Sequence, residues 1–173
     1  MESLKSKIRS VPDFPKAGIL FYDITTLLRD RDGFQMTIEA LAKPFERREI
    51  DIVVGVESRG FILGGAVADR LGAGFAPVRK KGKLPSNTVR ETYDLEYGTD
   101  CLEIHSDAVE DGQRVLIIDD VLATGGTAAA TTALVRKLGG AVEALAFLVE
   151  LEFLNGRSKI PSETVFSVLK YSS

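Results

Sequence analysis

The chain contains a single cysteine, a single histidine and no tryptophan among its 173 residues. Because Cys101 has no second cysteine to pair with, the sequence excludes an internal disulfide and a cysteine-based zinc site. This usage is typical of a reducing compartment. Acid–base chemistry by histidine would depend on His105 alone, which follows Glu103 near the end of a predicted strand. We therefore do not expect a histidine-based active site.

Long apolar segments and an excess of positive charge are also absent. No segment approaches the roughly 18 unbroken apolar residues of a transmembrane helix, and the basic N-terminus lacks the apolar run of a signal peptide. The 22 Lys and Arg residues are outnumbered by 25 Asp and Glu residues, which gives a net charge of −3 and disfavours a non-specific nucleic-acid or membrane surface. We expect a cytoplasmic protein with no nucleic-acid partner and no membrane partner.

The length and composition are those of one globular domain. Hydrophobic residues make up 45% and charged residues 27% of the chain, an ordinary balance. At this length about 70% of the surface of the unfolded chain can be buried, so the fold needs no disulfide or metal. No repeat, low-complexity tract or linker divides the sequence. We predict a single domain over residues 1–173.

Apolar runs and helical periodicities alternate along the chain. The pattern predicts helices at about 34–48, 61–71 and 127–138 and strands at 51–57, 75–78, 114–119 and 142–151. This alternation predicts an α/β fold, in which a central, mostly parallel sheet is flanked by helices. In such folds ligands bind beyond the carboxyl ends of the strands, where Glu57, Val78 and Asp119 fall.

Two segments depart from this alternation. Residues 1–30 combine proline and glycine with apolar residues, which suits either a hood over one end of the sheet or an arm that covers a sheet edge. Within the predicted core, residues 31–173, the segment 79–105 predicts a flexible flap or hairpin that projects from the domain. The flap begins with the basic run Arg79-Lys80-Lys81-Gly82-Lys83.

Residues 115–127 carry the strongest chemical signal. Four aliphatic residues, typical of a strand buried on both faces, precede Asp119 and Asp120, and a short glycine-rich loop then leads into an alanine-rich helix. Backbone N–H groups of such a loop suit a phosphate, while the carboxylates suit ribose hydroxyls or hydrated Mg²⁺. We predict a sugar-phosphate site. The alternative is a plain strand–turn–helix whose two acids are solvated.

This stretch resembles the phosphoribosyl diphosphate signature of the type I phosphoribosyltransferases, and it has neither the lysine of a Walker A motif nor a dinucleotide fingerprint. Further segments are similar to the members of that family that act on adenine, namely residues 12–25, 57–61, 79–85 and 95–98. The resemblance implies the type I fold with its hood and flap, a homodimer, and a cis peptide bond between Glu57 and Ser58. It also implies a purine-salvage reaction that joins adenine to phosphoribosyl diphosphate, gives AMP and pyrophosphate, and uses Mg²⁺ as cofactor.

The resemblance further implies roles for individual residues. Catalysis is implied for Glu96, which would accept the proton from N7 of adenine, and for Arg59, Asp119 and Asp120. Binding of phosphoribosyl diphosphate is implied for Ser58, Arg59, Arg79, Lys80, Lys83, Tyr97, Asp119, Asp120, Ala123, Thr124, Gly125, Gly126 and Thr127. Binding of adenine is implied for Phe21, Tyr22 and Ala123. Ligand phosphates and ribose hydroxyls are expected to hold Mg²⁺, with Asp119 and Asp120 as further candidate ligands.

Two alternatives remain open at this point. The first is a phosphoribosyltransferase for another base, orotate or a 6-oxopurine, because the signature identifies only the phosphoribosyl donor. Enzymes for 6-oxopurines usually carry an acid where this chain has Ala123. The second is a non-catalytic, nucleotide-binding regulator of the same fold. Such regulators tend to add a nucleic-acid-binding part, for which we see no room in this acidic chain.

Overall fold

The computed structural model describes residues 2–95 and 98–173. Its helices and strands, in chain order, are α1 (Glu2–Lys5), β1 (Arg9–Pro12), β2 (Leu20–Asp23), α2 (Thr25–Leu28), α3 (Arg31–Ala42), β3 (Ile52–Val56), α4 (Arg59–Leu71), β4 (Gly74–Lys80), β5 (Thr88–Asp94), β6 (Thr99–His105), β7 (Arg114–Leu122), α5 (Gly126–Lys137), β8 (Ala141–Leu151) and β9 (Val165–Tyr171). Short 3₁₀ turns lie at Lys43–Phe45, Glu152–Leu154 and Gly156–Lys159. In the described part of the chain, no helix has the length and apolar character needed to cross a membrane.

Seven of the strands form one sheet in the order β5-β6-β4-β3-β7-β8-β9. The strands from β4 to β9 in this order are parallel, whereas β6 runs antiparallel to β4 and β5. The predicted α/β fold with a mostly parallel sheet is thereby confirmed. β3 and β7 lie side by side where the strand order changes direction, which is the place where such sheets bind ligands.

Helices cover both faces of the sheet and create two apolar clusters. Along β7, Leu116 and Ile118 point into the cluster beneath α3 and α4, whereas Val115 and Ile117 point into the cluster beneath α5. All four side chains are almost fully buried. The run of aliphatic residues in β7 is therefore explained by burial on both faces of the sheet.

Helix α3 begins and ends earlier than the predicted range 34–48. The Asp30 carboxylate caps its first turn by accepting a hydrogen bond from the backbone N–H of Gly33 at 2.7 Å. The helix ends at Ala42, where Pro44 is part of a 3₁₀ turn. Proline has no backbone N–H to donate within a helix, so the α-helix does not continue to residue 48.

The prediction that residues 79–105 project from the domain is only partly right. β5 and β6 do form an antiparallel hairpin, but β6 also joins the main sheet by pairing Glu103 with Arg79 and Leu102 with Lys80 of β4. Leu102 and Ile104 are fully buried in the cluster beneath α5. Burial of these apolar side chains fixes the base of the hairpin in the core.

Residues 2–30 form a small unit against one edge of the sheet. β1 and β2 pair in a separate two-stranded antiparallel sheet. Leu4 of α1 and Leu27 of α2 are buried in the cluster beneath α3 and α4. The ring of Tyr22 packs on that of Tyr171 in the edge strand β9, with centroids 4.0 Å apart. β9 itself was missed by the sequence analysis.

Candidate active site

Two adjacent carboxylates lie at the carboxyl end of β7. Asp120 is buried, whereas Asp119 is half-buried. Oδ1 of Asp119 accepts a hydrogen bond from the backbone N–H of Asp120 at 2.8 Å. Burial, together with the neighbouring Asp120 carboxylate, raises the pKa of Asp119 well above its usual value of 3.8. The pair concentrates negative charge where hydroxyl groups or a developing cation would be stabilised.

The loop of residues 123–127, which we call the phosphate loop, leads from β7 into the 12-residue helix α5. Gly125 has a φ of +84°, a left-handed conformation that glycine adopts without a steric penalty. The first N–H groups of α5 have no partners within the helix, and the helix dipole adds partial positive charge there. A cavity of about 80 Å³, lined by Asp119, Val121 and residues 122–128, lies at this point. The arrangement suits a small anion such as a phosphate group.

Helix α4 begins beside the same acid pair. The peptide bond between Glu57 and Ser58, just before the helix, is cis, as the resemblance implied. A Cβ atom on Gly60 would lie only 2.9 Å from Oδ1 of Asp119, so the glycine allows the start of α4 to approach β7. The close approach places Arg59 next to Asp120.

Arg59 is tied directly to the acid pair. Its Nε donates a short hydrogen bond to Oδ2 of Asp120. Desolvation acts to lower the pKa of Arg59, but the charge and the hydrogen bond of Asp120 outweigh it and raise that pKa. Arg59 is therefore a permanent cation at the N-terminus of α4, where the helix dipole also favours an anion.

Basic residues of the predicted flap gather around Glu57. Lys83 Nζ lies 2.8 Å and Arg79 Nη2 lies 3.5 Å from Oε2 of Glu57, and the backbone N–H of Lys80 donates to Oε1. Burial acts to raise the pKa of Glu57, but hydrogen bonds from Lys83 and from the backbone of Lys80 outweigh it and lower that pKa. Two cationic side chains facing one carboxylate leave a surplus of positive charge, which suits a polyanion.

The side chain of Lys80 instead contacts the β5–β6 hairpin. Its Nζ donates to the Tyr93 hydroxyl at 2.7 Å and forms an ion pair with Asp100. The Tyr93 ring lies against the start of α5, since a Cβ on Gly126 would be 3.1 Å from Tyr93 Cδ2. Tyr93 therefore connects the hairpin to the phosphate loop, and Asp100 pairs with the lysine that holds Tyr93. Neither residue was assigned a role from the sequence, in which the segment 79–105 predicted only a flap or hairpin.

The two aromatic residues predicted to bind adenine face different surroundings. Phe21 is partly exposed and its ring meets that of Phe14 edge-on, with centroids 5.2 Å apart. Tyr22 is buried against Tyr171, and its hydroxyl donates to the backbone oxygen of Ser173 at 3.4 Å. The Tyr22 side chain is thus committed to the C-terminal strand, so an adenine contact by this residue would have to use its backbone. Adenine binding by Phe21 and Tyr22 stays a prediction.

Glu96 and Tyr97, which the sequence analysis placed on the flap, lie outside the described residues. On either side of these two positions, the backbone N–H of Leu95 donates to the carbonyl oxygen of Gly98 at 2.9 Å. His105 ends β6, where its Nε2 accepts a hydrogen bond from the backbone N–H of Ser86 at 3.4 Å.

A metal site built from protein ligands alone is not found within residues 2–95 and 98–173, where no three His, Cys, Asp or Glu side chains are grouped to hold an ion. Asp119 and Asp120 provide two carboxylates, of which Asp120 is already paired with Arg59. Mg²⁺ commonly uses one or two carboxylates together with substrate phosphates and water. The acid pair therefore fits an ion that is shared with a phosphorylated ligand.

Comparison with known proteins adds to this geometry. The profile of the phosphoribosyl transferase domain matches residues 24–170. Adenine phosphoribosyltransferase from Acidobacterium capsulatum is 63% identical over 99% of this chain and 94% of its own length. The corresponding protein from Geotalea daltonii is 58% identical over 99% of this chain and 100% of its own length.

Solved structures agree with these sequence relatives. The crystal structure of adenine phosphoribosyltransferase from Rhodothermus marinus has a TM-score of 0.94 at 57% identity, and the match covers 98% of this chain and 97% of that one. The Saccharomyces cerevisiae adenine phosphoribosyltransferase, solved with adenine and an imino-altritol bisphosphate, has a TM-score of 0.92 at 44% identity, with 97% of each chain covered.

Proposed function

The chain belongs to the phosphoribosyltransferase family, and from this premise we propose that it transfers the 5-phosphoribosyl group of phosphoribosyl diphosphate to adenine. The products are AMP and pyrophosphate, so the enzyme serves purine salvage. The observation that carries the choice of adenine is the full-length likeness to adenine phosphoribosyltransferases, since the phosphate loop alone identifies only the phosphoribosyl donor. We further propose a cytoplasmic location, in which the lone Cys101 remains reduced.

The donor half of the site follows from β7 and α5. We propose that the backbone N–H groups of the phosphate loop bind the 5′-phosphate, because the residues Ala123, Gly125 and Gly126 carry no side chain that would keep a phosphate away. Thr124 and Thr127 add hydroxyl donors. Asp119 and Asp120 accept hydrogen bonds from the ribose hydroxyls and stabilise the positive charge that develops at the anomeric carbon.

We propose that the leaving group, pyrophosphate, binds to Arg59 and to the basic residues around Glu57. Arg59, at the N-terminus of α4, faces the departing pyrophosphate together with the backbone of Ser58. In the dimer proposed below, Arg79 and Lys83 would exchange part of their contact with Glu57 for contact with the pyrophosphate bound to the other copy, and Lys80 adds charge from β4. Bound Mg²⁺ would neutralise charge on the diphosphate, with Asp119 and Asp120 as the protein groups able to share it.

The acceptor half requires a proton acceptor. Neutral adenine attacks through N9 when its proton is on N7, and that proton must leave as the new bond forms. Ala123, at the start of the phosphate loop, has no group that can take a proton. We assign the transfer to Glu96, carried beside Tyr97 on the flap, where closure over the base would also exclude water from the oxocarbenium ion. Phe21 and the backbone of Tyr22 are assigned to the adenine side.

A direct assay tests the proposed function. The purified protein is incubated with phosphoribosyl diphosphate, Mg²⁺ and, in turn, adenine, hypoxanthine, guanine or orotate, and nucleotide formation is measured. We expect turnover with adenine only. Turnover with another base in place of adenine would identify a different acceptor. Binding of phosphoribosyl diphosphate without turnover of any base would instead identify a non-catalytic regulator.

We also propose that the protein is a homodimer. The basic run of Arg79, Lys80, Lys81 and Lys83 is a local cationic cluster in a chain of net charge −3. A second copy would bring this run to the pyrophosphate site of its partner, which explains why the charge is concentrated there. Light scattering at micromolar concentration should give twice the chain mass of 18.8 kDa. A fully active species of the single-chain mass would contradict the proposal.

A further inference from the structure

The phosphate loop rests on a second piece of backbone that the proposed reaction does not use. Gly156 is buried and begins the 3₁₀ turn Gly156–Lys159, which follows β8. A Cβ atom on Gly156 would lie 2.3 Å from the carbonyl oxygen of Ala123 and 3.1 Å from the backbone nitrogen of Gly125. In the reverse direction, a Cβ atom on Gly125 would lie 2.2 Å from the carbonyl oxygen of Gly156. The two backbones touch, and neither side has room for a side chain.

The turn that carries Gly156 is held firmly on the sheet. Arg157 makes a bidentate ion pair with Glu150 of β8, with Nε 2.6 Å from Oε1 and Nη2 2.8 Å from Oε2. A third donor, Arg157 Nη1, contacts the carbonyl oxygen of Val165 in β9 at 3.3 Å. Glu150 is only 4% exposed, and the hydrogen bond from Arg157 lowers the pKa of its carboxyl group. At the far end of the turn, Ile160 is buried in the cluster beneath α5.

We propose that Gly156 and the Arg157–Glu150 ion pair are positioning residues for the phosphate loop. Three of the five loop residues, Ala123, Gly125 and Gly126, carry at most a methyl group, so the backbone on which they rest has a large part in fixing the shape of the loop. Contact with Gly156 fixes where the Ala123 carbonyl and the Gly125 N–H lie. The neighbouring N–H groups can then converge on one phosphate without being ordered at the moment of binding. This inference rests on the proposed function, because it takes the loop to bind the 5′-phosphate.

The sharpest test is Gly156→Ala, which adds one methyl group. The new Cβ would be 2.3 Å from the Ala123 oxygen, whereas ordinary contact begins at 3.4 Å, so the two must separate by about 1.1 Å. A misplacement of about 1 Å can cost on the order of 100-fold, and we expect a 10- to 100-fold rise in the Kd of ribose 5-phosphate. The KM of phosphoribosyl diphosphate should rise by a similar factor, while the KM of adenine at saturating donor changes little.

Gly74→Ala is the matched control, because it adds the same methyl group at the amino end of β4, where the nearest atom would be 3.7 Å away. Ribose 5-phosphate affinity is measured by isothermal titration calorimetry, which requires no turnover. If the wild-type protein binds ribose 5-phosphate but does not convert adenine, the proposed function is refuted. The inference can still be tested in that case, because the ribose 5-phosphate affinities of the wild type and Gly156→Ala can still be compared.

Three results would overturn the inference. The first is a Gly156→Ala protein that is folded and binds ribose 5-phosphate within about threefold of wild type. The second is an equal rise in the KM of adenine and in the KM of phosphoribosyl diphosphate, which would mean that the substitution disturbs the whole active site and not the phosphate loop alone. If Gly156→Ala does not fold, Arg157→Lys decides the matter. Lysine keeps the positive charge but cannot form the bidentate contact with Glu150, so we expect about 3- to 10-fold weaker binding of ribose 5-phosphate. Unchanged affinity in this variant is the third refuting result.

Discussion

Replacing Arg59 with alanine should affect both the folded state and the reaction. Arg59 is bonded to Asp120, and the Asp120 side chain is only 9% exposed. Removing the guanidinium leaves this carboxylate without a cation in a poorly hydrated place. The same change removes positive charge from the N-terminus of α4, where we propose that pyrophosphate departs. Arg59→Ala should therefore lower both stability and activity.

The expected loss of stability follows from the exposure of the two partners. Removing one partner of a buried hydrogen-bonded group costs about 1–3 kcal/mol. The Arg59 side chain is 41% exposed, so water can reach the remaining carboxylate, and we expect the lower part of that range, about 1–2 kcal/mol. For a chain of this length each kcal/mol corresponds to roughly 2–4 °C in Tm. For activity, removal of one donor to a developing charge typically costs about 10²- to 10³-fold in kcat.

The double variant Arg59→Ala/Asp120→Asn tests the reasoning. The neutral amide no longer needs a cation, so Tm should recover by most of the loss, while the adenine reaction remains impaired in both proteins. Tm is measured by calorimetry and kcat by AMP formation, with Asp120→Asn alone completing the cycle. A double variant less stable than Arg59→Ala would refute the ion-pair argument. An Arg59→Ala protein with wild-type kcat would refute the assignment to pyrophosphate.

Three further variants probe the remaining ionisable groups. In Asp119→Asn we expect slower catalysis but higher stability at pH 7, because the repulsion between the carboxylates of Asp119 and Asp120 is removed. Two like charges near each other in water repel by on the order of 1 kcal/mol, which sets the size of the expected gain. The folded-state pKa of Asp119 is raised, so wild-type stability falls as pH rises above 3.8, and the Tm advantage of the variant should vanish in acid. The folded-state pKa of Glu150 is lowered, so its ion pair with Arg157 stabilises above pH 4.5 and weakens as pH falls through the folded-state value. Glu150→Gln should therefore have a lower Tm than wild type at pH 7, and its Tm should fall less than that of wild type as the pH is lowered. Plots of Tm against pH that run parallel for the two proteins would count against this. Glu96→Gln should lower kcat about 10²- to 10⁴-fold with nearly unchanged donor binding, and single-turnover rates within about threefold of wild type would reject its role in proton transfer.

Several features of the site could be read from short stretches of sequence, because their cause is local. The aliphatic run of β7 predicts burial on both faces, and the acids and glycines that follow it indicate the carboxyl end of a central strand. The alternation of apolar runs with helical periodicity predicted the parallel sheet, since a helix is the usual link between parallel strands. The family resemblance added the cis peptide bond before Ser58, which the structure contains.

Other features depended on residues that are distant in the chain. No local pattern shows that Lys80 meets Tyr93 and Asp100, or that Tyr22 is buried against Tyr171, because each contact requires two strands to be placed side by side. The same holds for the base of the hairpin, which joins β4 and is buried.

The sequence by itself therefore determined the fold class, the family and the phosphate loop, since periodicity and loop chemistry act over a few neighbouring residues. Only the tertiary structure decided what supports that loop. Gly125 and Gly156 are separated by thirty residues of chain, and their backbones touch because β7 and β8 are adjacent and parallel, so that the segments leaving both strands emerge at the same edge of the sheet.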